Sequence, residues 1–335
     1  MAIQQLPEHL LMEILCRLPV KSLLRSKPVC KYWYSLLLTP SFIYLHHDHA
    51  ASIAADANTD CLLVKRFLDG GVVLFFVPNG TPIEDIDISS TGLNIKQLQI
   101  LGPCYGVVCL TRFALNSTIV IWNPSMKEFS VLPQPSYNND HISNLGFGYD
   151  PFTDDYKVVR FDMTGLPIGR IDEKIEIYEL RTDSWREVDA ESPIESGLHC
   201  LYDSYASWNG DCFWYAYPPL GYHHHGGPVI MAFSMSDEVF EELPVPEVCL
   251  LDDDSEMRLF VLNDSLAMGL DLALGFRQNG EFLVESSYGQ MMSYNLNTRE
   301  RKEYEVHDQL EVHPRPPHIQ VLPYVESLVS VKRQQ

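Results

Sequence analysis

The sequence predicts a two-part chain: a small α-helical head followed by an all-β body of repeated blades. Three observations carry this. Helical periodicity is concentrated in residues 6–45, where Leu10, Ile14 and Leu18 recur four apart and Leu11 and Leu15 lie one position over. From Cys61 onward, short runs rich in Val, Ile, Phe and Tyr alternate with Gly, Pro, Asn and Asp turns. Among those runs an aromatic–turn–aromatic hairpin returns, at Trp122–Phe129, Tyr178–Trp185 and Phe233–Phe240. Tyr294–Arg301 keeps the spacing without the second aromatic, and Phe76–Ile83 is a weaker copy.

In the head, Pro7 suits the first position of a helix, where its missing N–H costs nothing. Glu8 follows in the first turn and complements the helix dipole. Pro19 stops this helix. A second helix is expected from about Lys21 to Lys27, carrying Leu23 and Leu24. Pro28 would end it and open a third, with Val29, Trp33 and Leu36 or Leu37 on one face. Thr39-Pro40 closes that helix, and Ser41 can cap one more turn, Phe42–Leu45. Helices this short bury their own apolar faces poorly. The trio therefore reads as a docking surface for another protein's helices, or as an N-terminal cap on the domain that follows. Residues 46–60 are polar and small and read as a linker. His46, His47 and His49 lack a cysteine or acidic partner at a known metal spacing.

The body's hairpins begin at residues 76, 122, 178, 233 and 294. Recurrence at about fifty residues is the period of kelch-type propeller blades. Each hairpin would be the outer strand pair of a blade, with inner strands at 106–110, 156–161, 212–217 and 281–285. A sandwich of ordinary hairpins is the alternative.

Composition narrows the function classes. The chain has 335 residues, 46% of them hydrophobic, and a net charge of −21. Residues 1–47 hold five basic residues (Arg17, Lys21, Arg25, Lys27, Lys31) against Glu8 and Glu13; the rest carries 19 basic and 43 acidic residues. Nucleic-acid binding rests on Lys and Arg neutralising phosphate, so this body is unsuited to it. An acidic surface aids solubility or steers a basic protein partner. Eight scattered cysteines form no CxxC, the start has no signal-peptide pattern, and no apolar run reaches membrane-spanning length. The expectation is an intracellular chain with reduced thiols, cytoplasmic or nuclear, with no membrane partner. No GxSxG, HExxH, P-loop or GxGxxG occurs, so no catalytic residue, metal or cofactor is assigned. His223-His224-His225, between Pro218-Pro219 and Gly226-Gly227, reads as a loop. Asp252–Glu256 lacks the glycine and spacing of a calcium loop.

Leu6-Pro7-Glu8, Ile14-Leu15, Arg17–Leu23, Arg25, Val29-Cys30-Lys31, Trp33, Leu36 and Ser41-Phe42 together resemble an F-box. Further on, Leu145–Pro151 with Asp155–Arg160, Ile121–Ser125 with Glu128-Phe129 and Leu132-Pro133, and Tyr324–Val329 resemble the plant F-box-associated domain. The fold this implies is a small α-helical F-box (1–47), a linker (48–60) and an all-β, kelch-like propeller (61–335). One departure is a short stretch at 267–278, where relatives carry a few dozen further residues. It predicts that part of one blade is missing and leaves ring closure open. The resemblance implies a substrate-recognition subunit of a Skp–cullin–F-box ubiquitin ligase, without catalysis of its own. Its adaptor contacts would be Leu6, Pro7, Leu10, Ile14, Leu15, Leu18, Pro19, Val20, Leu23, Leu24, Val29, Cys30 and Trp33. Its partners would be a Skp-type adaptor, a cullin through it, and a target protein, for which the acidic body favours a basic one. A propeller-based enzyme and a ligase-independent adaptor-binding protein are the competing readings.

Overall fold

The computed structural model describes residues 7–57, 61–68, 71–78, 86, 88, 91, 93, 98–112, 117–136, 143–161, 175–189, 199–217, 227–246, 257–261, 265–270, 273–276, 281–285, 291–295, 298–303 and 319–332. The head has four helices: α1 (Glu8–Leu15), α2 (Val20–Ser26), α3 (Lys31–Leu36) and α4 (Pro40–Ala57). Pro7 and Pro19 sit just outside α1 and α2 in extended conformations, fixing where each begins. Pro28 does not open the third helix. It lies in a 3-10 turn, Lys27–Val29, and extended Cys30 then caps α3 by accepting the Trp33 N–H on Sγ at 3.4 Å.

The fourth helix departs most from expectation. It spans 18 residues instead of one turn, and Thr39, not Ser41, caps it by accepting the Phe42 N–H at 3.3 Å. The stretch expected to be a linker is therefore helical through Ala57. Its small residues are mostly alanines, the best helix formers, and no proline or glycine interrupts them.

The body is a ring of antiparallel sheets. β1 (Cys61–Leu68) and β2 (Gly71–Pro78) begin the first. The second runs in order through β3 (Leu98–Cys104), β4 (Val107–Arg112), β5 (Val120–Asn123) and β6 (Glu128–Val131). The third holds β7 (Asn144–Asp150), β8 (Asp155–Phe161), β9 (Ile175–Glu179) and β10 (Ser184–Val188). The fourth holds β11 (His199–Trp208), β12 (Asp211–Tyr217), β13 (Val229–Phe233) and β14 (Phe240–Pro244). The fifth has two strands among the described residues, β15 (Met257–Val261) and β16 (Leu266–Leu270). The sixth has β17 (Ala273–Phe276), β18 (Glu281–Glu285), β19 (Met291–Asn295) and β20 (Arg301–Glu303). The last strand, β21 (Gln320–Tyr324), returns to pair with β1.

The aromatic hairpins are the outer strand pairs, in the register their spacing implies: Trp122 faces Phe129, Tyr178 faces Trp185, Phe233 faces Phe240 and Tyr294 faces Arg301. The weak copy at Phe76–Ile83 runs beyond the described residues. Neighbouring sheets touch through β21, β3, β7, β11, β15, β17 and β21 again, so the ring closes. With its two described strands the fifth sheet still joins the ring, β15 touching β11 and β17.

A buried ion network ties the third sheet to the fourth. Lys157 Nζ lies 2.7 Å from Asp150 and 2.9 Å from Glu238, and donates to the Met235 carbonyl at 3.0 Å. Burial alone would raise the Asp150 carboxyl, but bonds from Lys157, Thr153 and the Phe152 N–H hold it down at about 2. Its stabilising effect is thus present above the ordinary aspartate range, near pH 4, and lost as pH falls through about 2. Lys157→Met leaves two carboxylates without their buried cation. It is expected to cost about 3–5 kcal/mol in urea unfolding at neutral pH.

Candidate functional site

The head sorts its apolar residues into two sets. Leu11, Leu15, Val20, Leu23, Leu36, Leu37 and Phe42 form its own buried core. Leu10 and Ile14, four apart on α1, share the adjacent face, and Leu18 follows beyond the helix end. These three are 39%, 52% and 37% exposed, and Val29 is 65% exposed. Already partly covered, each such side chain would gain roughly 1 kcal/mol when a partner covers the rest. Arg17, Lys21, Arg25 and Lys31 are exposed on the same small head and join no ion pair among the described residues.

The expected contact residues fall on both sides of this division. Leu15, Val20 and Leu23 are at most 1% exposed and hold the head together. Leu24 and Trp33 are half-buried against the same core. Pro7, Pro19 and Cys30 are exposed, and Leu6 lies outside the described residues. The sequence reading missed Tyr32 and Tyr34, both exposed beside Trp33. The signal was available: of three consecutive aromatic residues on a helix, only one can face inward.

The head is seated on the body rather than tethered by a linker. Leu328, from the segment after β21, completes the head's core. Glu326 accepts the Val20 N–H at 3.0 Å, capping the start of α2. From α4, the Tyr44 hydroxyl meets the Tyr149 hydroxyl and the Asp154 carboxylate, and Tyr149 donates to the same carboxylate at 2.6 Å. Burial, reinforced by Asp154, pushes the Tyr44 hydroxyl up to about 12. The His47 ring lies 5.3 Å from that of Tyr105. His46, 2% exposed, bonds through Nε2 to the Leu18 carbonyl at 2.9 Å. His46 thus bonds within the head, and His47 lies at the junction with the body. Among the described residues no group of three or more His, Cys, Asp or Glu side chains is placed to hold a metal ion, and no helix is long and apolar enough to cross a membrane. His223–His225 and Asp252–Glu256 lie outside the described residues.

Residues 3–45 match the F-box domain, and residues 80–270 match the F-box associated beta propeller domain. The chain belongs to the F-box associated β-propeller family. A putative F-box protein of Arabidopsis thaliana is 30% identical over 249 residues, covering 72% of this chain and 61% of that protein. An F-box/kelch-repeat protein of the same plant is 29% identical over 255 residues, covering 73% and 66%. An F-box/WD-40 repeat-containing protein is 29% identical over 248 residues, covering 71% and 55%. The aligned part thus spans less than two thirds of each of these relatives. Family membership is carried by both segments, the helical head and the ring of sheets behind it.

Burial lowers the His46 pKa, and Glu326 and His49 are the charged or titratable groups that face it. Burial lowers that of His47 as well. A lowered histidine contributes stability that is fully present above its ordinary value, about 6.5, and declines as pH falls below it. The junction is therefore expected to loosen as pH falls below about 6.5. Proteolysis of α4 should accelerate over that range in the native chain, and much less in His46→Gln.

Proposed function

We propose that this chain is the substrate-recognition subunit of a Skp–cullin–F-box ubiquitin ligase. The carrying observation is the exposed aliphatic row Leu10, Ile14, Leu18 and Val29 on the segment that matches the F-box. A folded head that keeps these large aliphatic side chains in water has surface left to bury on a partner. The Skp-type adaptor covers this row, and exposed Arg17, Lys21, Arg25 and Lys31 favour an acidic partner face. A cullin joins through the adaptor. The propeller holds a target protein for ubiquitination and degradation. The chain supplies proximity and orientation and performs no covalent chemistry. The excess of 43 acidic over 19 basic residues outside the head favours a basic target surface. The work belongs in the cytoplasm or nucleus, where thiols stay reduced.

The test is binding of the full chain to purified adaptor. Ile14→Asp and Leu18→Asp are each expected to weaken it by about 30-fold or more, the effect of losing a buried anchor, with the body's thermal unfolding unchanged. Trp33→Ala should also weaken it, because the half-buried ring supports the row from behind. Undiminished binding by the two Asp variants would overturn the assignment.

A further inference from the structure

Among the described residues, the fifth sheet ends on its second strand. Its outer strand β16 pairs with β15 on one side, and no described strand pairs on the other. The second, third, fourth and sixth sheets carry two further strands at that position. Natural edge strands are usually blunted by charge, proline or a bulge. β16 reads Leu266-Ala267-Met268-Gly269-Leu270, with no charge and no proline, and its pairing to β15 runs without a bulge. Leu266 and Met268 lean on the core shared with the fourth sheet. Successive side chains alternate between faces, so Ala267 and Gly269 line the other face.

We propose that β16 is the docking edge for a second copy of this chain, the two copies pairing β16 to β16 in antiparallel register. Two observations favour a copy over a foreign strand. Edge to edge, the two hairpins make four strands, the number in four of the other sheets. The strand is also self-complementary in size. Centred on Met268, the register sets Ala267 against Gly269 of the second copy, and like charges never meet within the pair. The same surface serves both partners, as a two-fold interface requires. The contact is small, below the ~1,200 Å² of standard interfaces, so a weak dimer is expected, with a Kd on the order of 10 μM. Each copy carries a net charge of −21, so the dimer should tighten as salt screens the repulsion. The proposal does not rest on adaptor binding, because β16 and the head lie in different parts of the chain.

The experiment is sedimentation velocity of the full chain at concentrations up to about 100 μM, well above that Kd, at low and moderate salt. A dimer favoured by salt is expected. The double variant Ala267→Lys/Gly269→Lys places like charges across the pair and should weaken it about tenfold or more. The counterpart Ala267→Glu/Gly269→Glu should do the same. An equimolar mixture of the two variants should recover the dimer, a result that misfolded proteins would not give. A monomeric native chain at the highest concentration overturns the proposal and leaves the edge to a strand from another protein. So does undiminished dimerisation of either variant, or failure of folded variants to recover it when mixed.

Discussion

The segment that ends the described chain holds both halves together. β21 supplies the inner strand of the first sheet, closing the ring against β3 and β17. The residues after it cross the turns of the second sheet. There Asn123, fully buried, donates to the Ser327 and Val329 carbonyls at 3.1 and 2.7 Å. Tyr324 donates to the Gly106 carbonyl at 3.2 Å. Gly106 has φ +72, and a Cβ there would come within 2.5 Å of Ser327 and the Val325 carbonyl, so no other residue fits. From this clamp Leu328 enters the head's core and Val331 enters the body's. One short segment thus bonds to the propeller, fills the head and caps α2.

Seating the head this way fixes what it leaves open. It covers the turns around Tyr105, Met126 and Asp154 and keeps Leu10, Ile14, Leu18 and Val29 in water. A direct seat fixes the orientation of the head's exposed side chains relative to the ring. Closure of the ring rests on the inner strands, each of which touches the next.

Much of this was legible in the sequence because it is periodic. Aromatic pairs spaced seven apart mark hairpins whose register the side-chain alternation dictates. Prolines at 7 and 19 mark helix starts. What was hidden is long-range. Nothing near Leu15 or Val20 reveals that Leu328, about three hundred residues on, shares their core, so which apolar residues face in and which face out could not be divided. The stretch after Leu45 was read as a linker because histidines and small residues look like loop composition. Alanine is small but strongly helical, His46 bonds to a Leu18 carbonyl distant in sequence, and His47 meets the Tyr105 ring only once the body is folded against it.

Hydrogen exchange of the full chain, with and without purified Skp-type adaptor, tests the docking account most directly. The account predicts slowed exchange in α1, in the segment through Leu18 and from Val29 to Tyr34, with the strands of the ring unchanged. Unaltered exchange in α1 at saturating adaptor, or slowing confined to the propeller, would contradict it.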